Sequence, residues 1–283
     1  MMMGVVFLVY GFRMLQAGLL DARRILAMYG FPDSSLVAVL VTSVACGGGI
    51  AMLGGLFVRW GALLMATFYG MMAFLALRGY GWYGAILHVP RVGGFLPVAP
   101  LEHWLALVAV SLCLVVGGPG AFSLQERIRK NSERDGRRQA WAIGALRIIV
   151  GSIFVFHGWQ KWAGYGPASV AAEFAKMHFP APWLSGVAVT TVELVFGLVL
   201  ISGMFARWAA SVLATEMAVA VLAVHLGQGF LLGFFWPGGY EYALTLLVVN
   251  ASLAVAGPGP FALRPFGTGA QTVASGHDGQ IHD

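Results

Sequence analysis

Apolar residues run through this chain in blocks of about twenty, the length an α-helix needs to cross a hydrocarbon core. The blocks lie at 3–20, 35–56, 60–77 and 101–116, and again at 141–162, 184–204, 207–226 and 240–256. Polar residues inside them are sparse and do not alternate with apolar ones. That pattern argues against the strands of a membrane barrel and for helices that satisfy their own backbone groups. The fold class expected is an all-α integral membrane protein with eight transmembrane helices.

The eight blocks form two sets of four. LGGLFVRWGA from Leu53 is matched by ISGMFARWAA from Ile201, and VVGGPGAFSL from Val115 by AVAGPGPFAL from Ala254. LEHWLAL from Leu101 is matched by YEYALTL from Tyr240, and Phe31-Pro32 by Phe179-Pro180. Order and spacing are kept, which marks a duplicated structural unit. The expected organisation is a four-helix repeat at 1–124, a basic linker at 125–140, a second four-helix repeat at 141–264 and a disordered tail at 265–283. The stretch 125–138 carries six basic and three acidic residues and no apolar face. Basic connections face the cytoplasm, and four spans return the chain to its starting side. Linker and termini are therefore expected in the cytoplasm of a bacterial-type plasma membrane, with the two bundles as parallel repeats. Among the segments assigned to the outside, 167–179 has the pattern of a short interfacial helix, with Val170, Phe174 and Met177 on one face.

Composition narrows the function. Apolar residues make up 59% of the 283 positions and charged residues 10%, against about 25% charged in a soluble domain. The net charge of +5 comes largely from the linker and gives no reason to expect nucleic-acid binding. Cys46 and Cys113 sit in apolar runs, far apart, so dithiol chemistry and a metal frame are not expected. No signal peptide is expected, because 1–20 lacks a basic start and a small-residue cleavage site. No flavin, dinucleotide or haem-attachment motif is present in the chain.

Charged groups inside membrane helices cost about 2.5–3.5 kcal/mol each on insertion scales, so each needs a reason to be there. Most lie in the second repeat. His157 and Lys161 are four apart on one helix face, Glu193 is mid-helix, and Glu241 opens the last helix. Glu216 and His225 are nine apart, which sets them on opposite sides of an α-helix unless the helix is distorted. The first repeat has Tyr10, Met14, Ala45, Phe68 and Leu77 where the second has His157, Lys161, Glu193, Glu216 and His225. Only the pairs Arg59/Arg207 and Glu102/Glu241 occur in both. Any chemistry is therefore expected in the second repeat. The simplest structural readings are interfacial anchoring for the arginines and helix-dipole pairing for Glu102 and Glu241.

RIIVGSIFVFHGWQKWAG, VELVFGLVLISGMFARWAA, GGYEYALTLL and the closing GPG, in this order, resemble the DoxX family of four-helix membrane proteins. The likeness covers 146–263, and the first repeat is a divergent copy. The family includes the membrane subunit of thiosulfate:quinone oxidoreductase. The resemblance implies a membrane subunit of a quinone-linked oxidoreductase complex, either holding a quinone or anchoring a catalytic partner. Carried over by position, its polar pattern falls on His157, Lys161, Glu193, Arg207, His225 and Glu241; all but Arg207 are the expected site residues, with His157, Lys161 and His225 as quinone contacts. Two other readings stay open: a proton-coupled or small-solute transporter, and a non-catalytic scaffold. The segment from Gly79 to Pro100 is rich in glycine and aromatic residues, and is the expected contact for a partner chain.

Overall fold

The computed structural model describes residues 2–28, 31–87, 101–120, 123–125, 133–230 and 239–263. Among these residues the fold is helical without strands. The first repeat contributes α1 (Met2–Met28), α2 (Ser35–Leu53), α3 (Val58–Leu87) and α4 (Leu101–Gly117). The second contributes α5 (Glu133–Trp159), α6 (Pro167–Lys176), α7 (Pro182–Ser202), α8 (Ala206–Val219) and α9 (Glu241–Ala256). Among the described residues, five helices are long and apolar enough to cross a membrane. The large apolar side chains on their outer surfaces, such as Leu36, Trp159, Leu184 and Trp208, are exposed, as a lipid-facing surface requires.

Three boundaries differ from the sequence expectation. α5 begins at Glu133, inside the stretch read as a linker; Glu133 and Arg137 have the four-residue spacing that supports a helix. The tail from 264 onward lies outside the described residues. α3 runs on to Leu87 rather than ending near 77, so it takes in part of the proposed partner segment; the remainder, 88–100, lies outside the described residues. α1 continues past its apolar run, but breaks at Gly18, with φ 80° and ψ 164°. Gly166 makes the same break before α6, with φ 80° and ψ 151°. Positive φ with extended ψ is a region that only glycine enters readily. Each repeat therefore turns its first long helix into a short one at a glycine.

The helices pair in the same way in both repeats. α1 packs on α2 and α3 on α4; α5 packs on α7 and α8 on α9. In lipid no hydrophobic force drives helices together, so close approach at small residues matters most. A Cβ on Gly11 would lie 2.7 Å from Cys46 N, and one on Gly49 2.7 Å from Leu8 N. At the matching crossing, a Cβ on Gly158 would lie 2.6 Å from Leu194 N, and one on Gly197 2.9 Å from Gly151 O. Both crossings thus bring backbone against backbone. α4 against α5 joins the two repeats, with α1 touching α9.

The repeated Phe-x-Arg-Trp passages are the turns before α3 and α8. Phe57 and Phe205 both adopt left-handed conformations, with φ of 50° and 55°. Such residues cost about 1–3 kcal/mol of strain each, so the surrounding packing must hold them in place. The arginines reach the glycine breaks at the far end of their own repeat. A Cβ on Gly118 would lie 2.9 Å from Arg59 Nε, and one on Gly257 3.1 Å from Arg207 Nε. The duplicated passage is therefore a clamp that fixes the end of the fourth helix of each bundle.

Candidate functional site

Helices α5, α7, α8 and α9, with α6 beside them, line a cavity of about 380 Å³. α6 is the short helix expected from Val170, Phe174 and Met177, and its apolar face turns inward rather than toward lipid. Val170 and Ala171 are buried, and Phe174 and Met177 line the cavity. The walls are otherwise aromatic and aliphatic, with Phe154, Phe179 and Leu246 among them. His157, Lys161, Glu193, Glu216, His225 and Tyr242 supply the polar atoms. A small number of polar groups in a largely apolar chamber is the usual composition of a small-molecule site.

Lys161 Nζ donates to Glu193 Oε1 at 2.6 Å. This pair joins α5's extension to α7, and gives each charge a partner that the bilayer interior would otherwise withhold. Removing either partner strands the other. His157 Nε2 lies 3.3 Å from the Tyr242 hydroxyl and 4.0 Å from Glu102 Oε1.

Two stretches of π-helix shape the chamber. Gln160–Tyr165 continues α5, and Ala220–His225 continues α8. A π-helix winds less per residue than an α-helix and often marks a functional site. The second stretch lies between Glu216 and His225. It supplies the distortion that their nine-residue spacing demands, and both residues line the same cavity. The first carries Lys161 onto the face that meets Glu193.

Four of the five site residues expected from sequence, His157, Lys161, Glu193 and His225, come together at this cavity. Glu241 lies elsewhere, fully buried between the repeats. Tyr10 of α1 donates to Glu241 Oε2 at 2.9 Å, and His103 Nε2 of α4 lies 3.7 Å from Glu241 Oε1. The His103 and Tyr242 rings meet edge to face at 5.3 Å. These contacts have a cross-repeat logic: Tyr10 and His157 hold matching positions, and each approaches a carboxylate at the start of the other repeat's last helix. The sequence offers a helix-dipole reading for both Glu102 and Glu241 and a site reading for Glu241, and it does not single out His103. The available signal was that LEH and YEY each pair a carboxylate with a ring at the same place in the repeat.

The first repeat has a cavity at the corresponding place, of about 150 Å³. Tyr10, Met14, Ala45 and Phe68 line it, the residues that align with His157, Lys161, Glu193 and Glu216. Among the described residues, no group of three or more histidine, cysteine or acidic side chains could hold a metal ion.

A chain whose described residues are helical, with lipid-facing helices, duplicated bundles and a chamber that carries polar groups, is an integral membrane protein built from tandem repeats of one unit. The DoxX family profile matches residues 1–78 and 142–226, once in each repeat, and the chain belongs to the DoxX family. An uncharacterized protein of Haemophilus influenzae is 34% identical over 121 residues, covering 42% of this chain and 84% of the relative. A Bacillus subtilis protein named "Putative oxidoreductase CatD" is 27% identical over 121 residues, covering 43% of this chain and 83% of the relative. Both relatives are thus about as long as one repeat. No solved structure matches the chain.

Proposed function

We propose that this protein is the membrane subunit of a quinone-linked oxidoreductase complex and that the α5–α9 cavity is its quinone site. The observation that supports this reading most is the chamber itself: about 380 Å³, aromatic-walled, with an ion pair and two histidines on its rim. The name of the Bacillus relative points the same way. The chamber's chemistry suits a flat apolar ring bearing polar oxygens. A bound quinone supplies a two-electron, two-proton couple. Lys161 offers an N–H to a ring oxygen while Glu193 balances its charge. His157, beside Tyr242 and Glu102, can hold or pass a proton at Nε2. Phe174 of α6 and Met177 just beyond it extend the apolar wall around these polar groups. The chain carries no electron-transfer motif, so the electrons come from a partner chain, for which the segment from Gly79 to Pro100 is the proposed contact.

The proposed membrane arrangement has eight spans, with α1 to α4 and α5 to α9 as parallel repeats and both termini cytoplasmic in a bacterial plasma membrane. Single cysteines placed at Ser132 and Ser275 should resist an impermeant thiol reagent in intact cells, and labelling of either would reject this topology. For the function, the protein is purified in mild detergent and its lipid extract analysed by mass spectrometry. The expected result is about one quinone per chain, lost in Lys161→Met while that variant still reaches the membrane. Wild-type protein without quinone, and with no affinity for an added short-chain quinone, would sink the reading.

A further inference from the structure

The ion pair at the cavity leaves three acceptor atoms unused. Lys161 engages Oε1 of Glu193. Glu193 Oε2 and both carboxyl oxygens of Glu216 are buried and have no hydrogen-bond partner among the described residues. Glu193 is only 4% exposed, and both carboxyl groups line the chamber. A buried acceptor left without a donor costs about 1–3 kcal/mol, and more if charged. The Thr190 hydroxyl, one turn before Glu193, is committed to the Gly186 carbonyl at 2.8 Å and cannot serve as that donor.

The ligand is then the natural source of donors. An oxidised quinone brings only acceptors at its ring oxygens: it would suit Lys161 but leave the Glu216 side unmatched. An organic cation would also bring donors, but its charge would compete with the Lys161 ammonium for Glu193, and it is the alternative that the test below includes. A neutral ring carrying two hydroxyl groups brings donors without charge, and its faces suit Phe154, Phe174 and Phe179. We propose that the cavity selects the reduced, dihydroxyaromatic form of its ring ligand, with Glu216 and the free oxygen of Glu193 accepting hydrogen bonds from the ring hydroxyls. This rests on the reading of the chamber as a quinone site and adds to it a redox preference and a residue, Glu216, that reads it.

The test is equilibrium dialysis of durohydroquinone and duroquinone against the full chain in lipid nanodiscs, under anaerobic conditions. The expected result is at least tenfold tighter binding of the reduced ring. Glu216→Leu should abolish that preference while still binding the oxidised ring, which shows that the chamber remains folded; Glu216→Gln, with one acceptor left, should fall between. Equal binding of the two forms, or tighter binding of the oxidised one, overturns the selection but leaves the quinone site standing. A preference that survives in Glu216→Leu overturns the assignment of Glu216. Binding of neither form overturns both proposals, as does tighter binding of a phenylalkylammonium probe.

Discussion

The two repeats of this chain agree at their main helix crossings and turns and differ most in the polar side chains that face their cavities. Gly11 and Gly158 make the same crossing, Phe57 and Phe205 the same left-handed turn, and Arg59 and Arg207 the same clamp. Around the cavities Phe7 and Val41 still match Phe154 and Val189, but four other aligned positions do not. Four apolar or aromatic residues line about 150 Å³ in one repeat where two charges, a histidine and a further carboxyl group line about 380 Å³ in the other. Among the described residues, π-helix occurs only in the second repeat. A close helix crossing tolerates little change, because every added atom must displace main chain. A cavity wall can exchange a buried ion pair for apolar groups of similar size at little cost, or even with a gain. The difference therefore separates what the unit needs in order to fold from what one copy has added.

The largest expected effect comes from breaking the added ion pair halfway. Lys161→Met leaves Glu193 buried without its cation and should cost about 3–5 kcal/mol, read as a drop in the thermal unfolding midpoint in detergent. The double variant Lys161→Met with Glu193→Ala copies the first repeat's Met14 and Ala45, and should recover most of that loss. A double variant no more stable than the single one would mean that the two cavities are not interchangeable scaffolds. Next come the crossings. Gly11→Ala and Gly158→Ala should each destabilise by about 1–3 kcal/mol through overpacking, and by similar amounts, since their close contacts are alike. A silent Gly11→Ala beside a damaging Gly158→Ala would break the claim of shared packing.

Smaller effects sharpen the picture. Tyr10→Phe removes one hydrogen bond to Glu241 and should cost about 0.5–1.5 kcal/mol, the net contribution of a typical intramolecular hydrogen bond. It should leave duroquinone binding within twofold, because Tyr10 lines the other cavity. Smallest of all is Ala45→Ser, which puts a hydroxyl able to bond the carbonyl one turn back into an apolar wall. It should shift stability by about 0.5 kcal/mol or less. A larger loss would give the first cavity a role of its own.

Much of the fold was legible because a membrane imposes it. Eight apolar blocks and a duplicated set of turn motifs lead directly to helices, and the observed boundaries fall within a few residues at most ends. The long extensions of α1 and α3 were not legible, because helices can continue beyond the apolar run without an apolar signature. In the site, Lys161 and Glu193 stood out as costly residues, yet their pairing across 32 positions depends on how α5 crosses α7. The requirement for a distorted helix between Glu216 and His225 followed from their spacing; that the distortion is present, and that a second lies at Gln160–Tyr165, did not. The contact between Tyr10 and Glu241 spans 231 positions and joins separate repeats, so no local pattern encodes it.

That cross-repeat contact bears on how much freedom each copy has to change. The polar seam of Tyr10, Glu241, His103 and Glu102 ties α1 and α4 of the first repeat to α9 and α5 of the second. Because the halves share one chain, each finds the other at an effective concentration that no dilution in the membrane can lower. Two identical subunits would have to carry every substitution on both sides of such a seam at once. Here a change in one copy is not mirrored in the other, so one bundle is free to specialise while the other keeps only its seam-facing residues and its crossings. Random substitution should therefore find two kinds of surface in the first bundle: a permissive wall around Met14 and Ala45, and an unforgiving edge at Tyr10, Glu102 and His103.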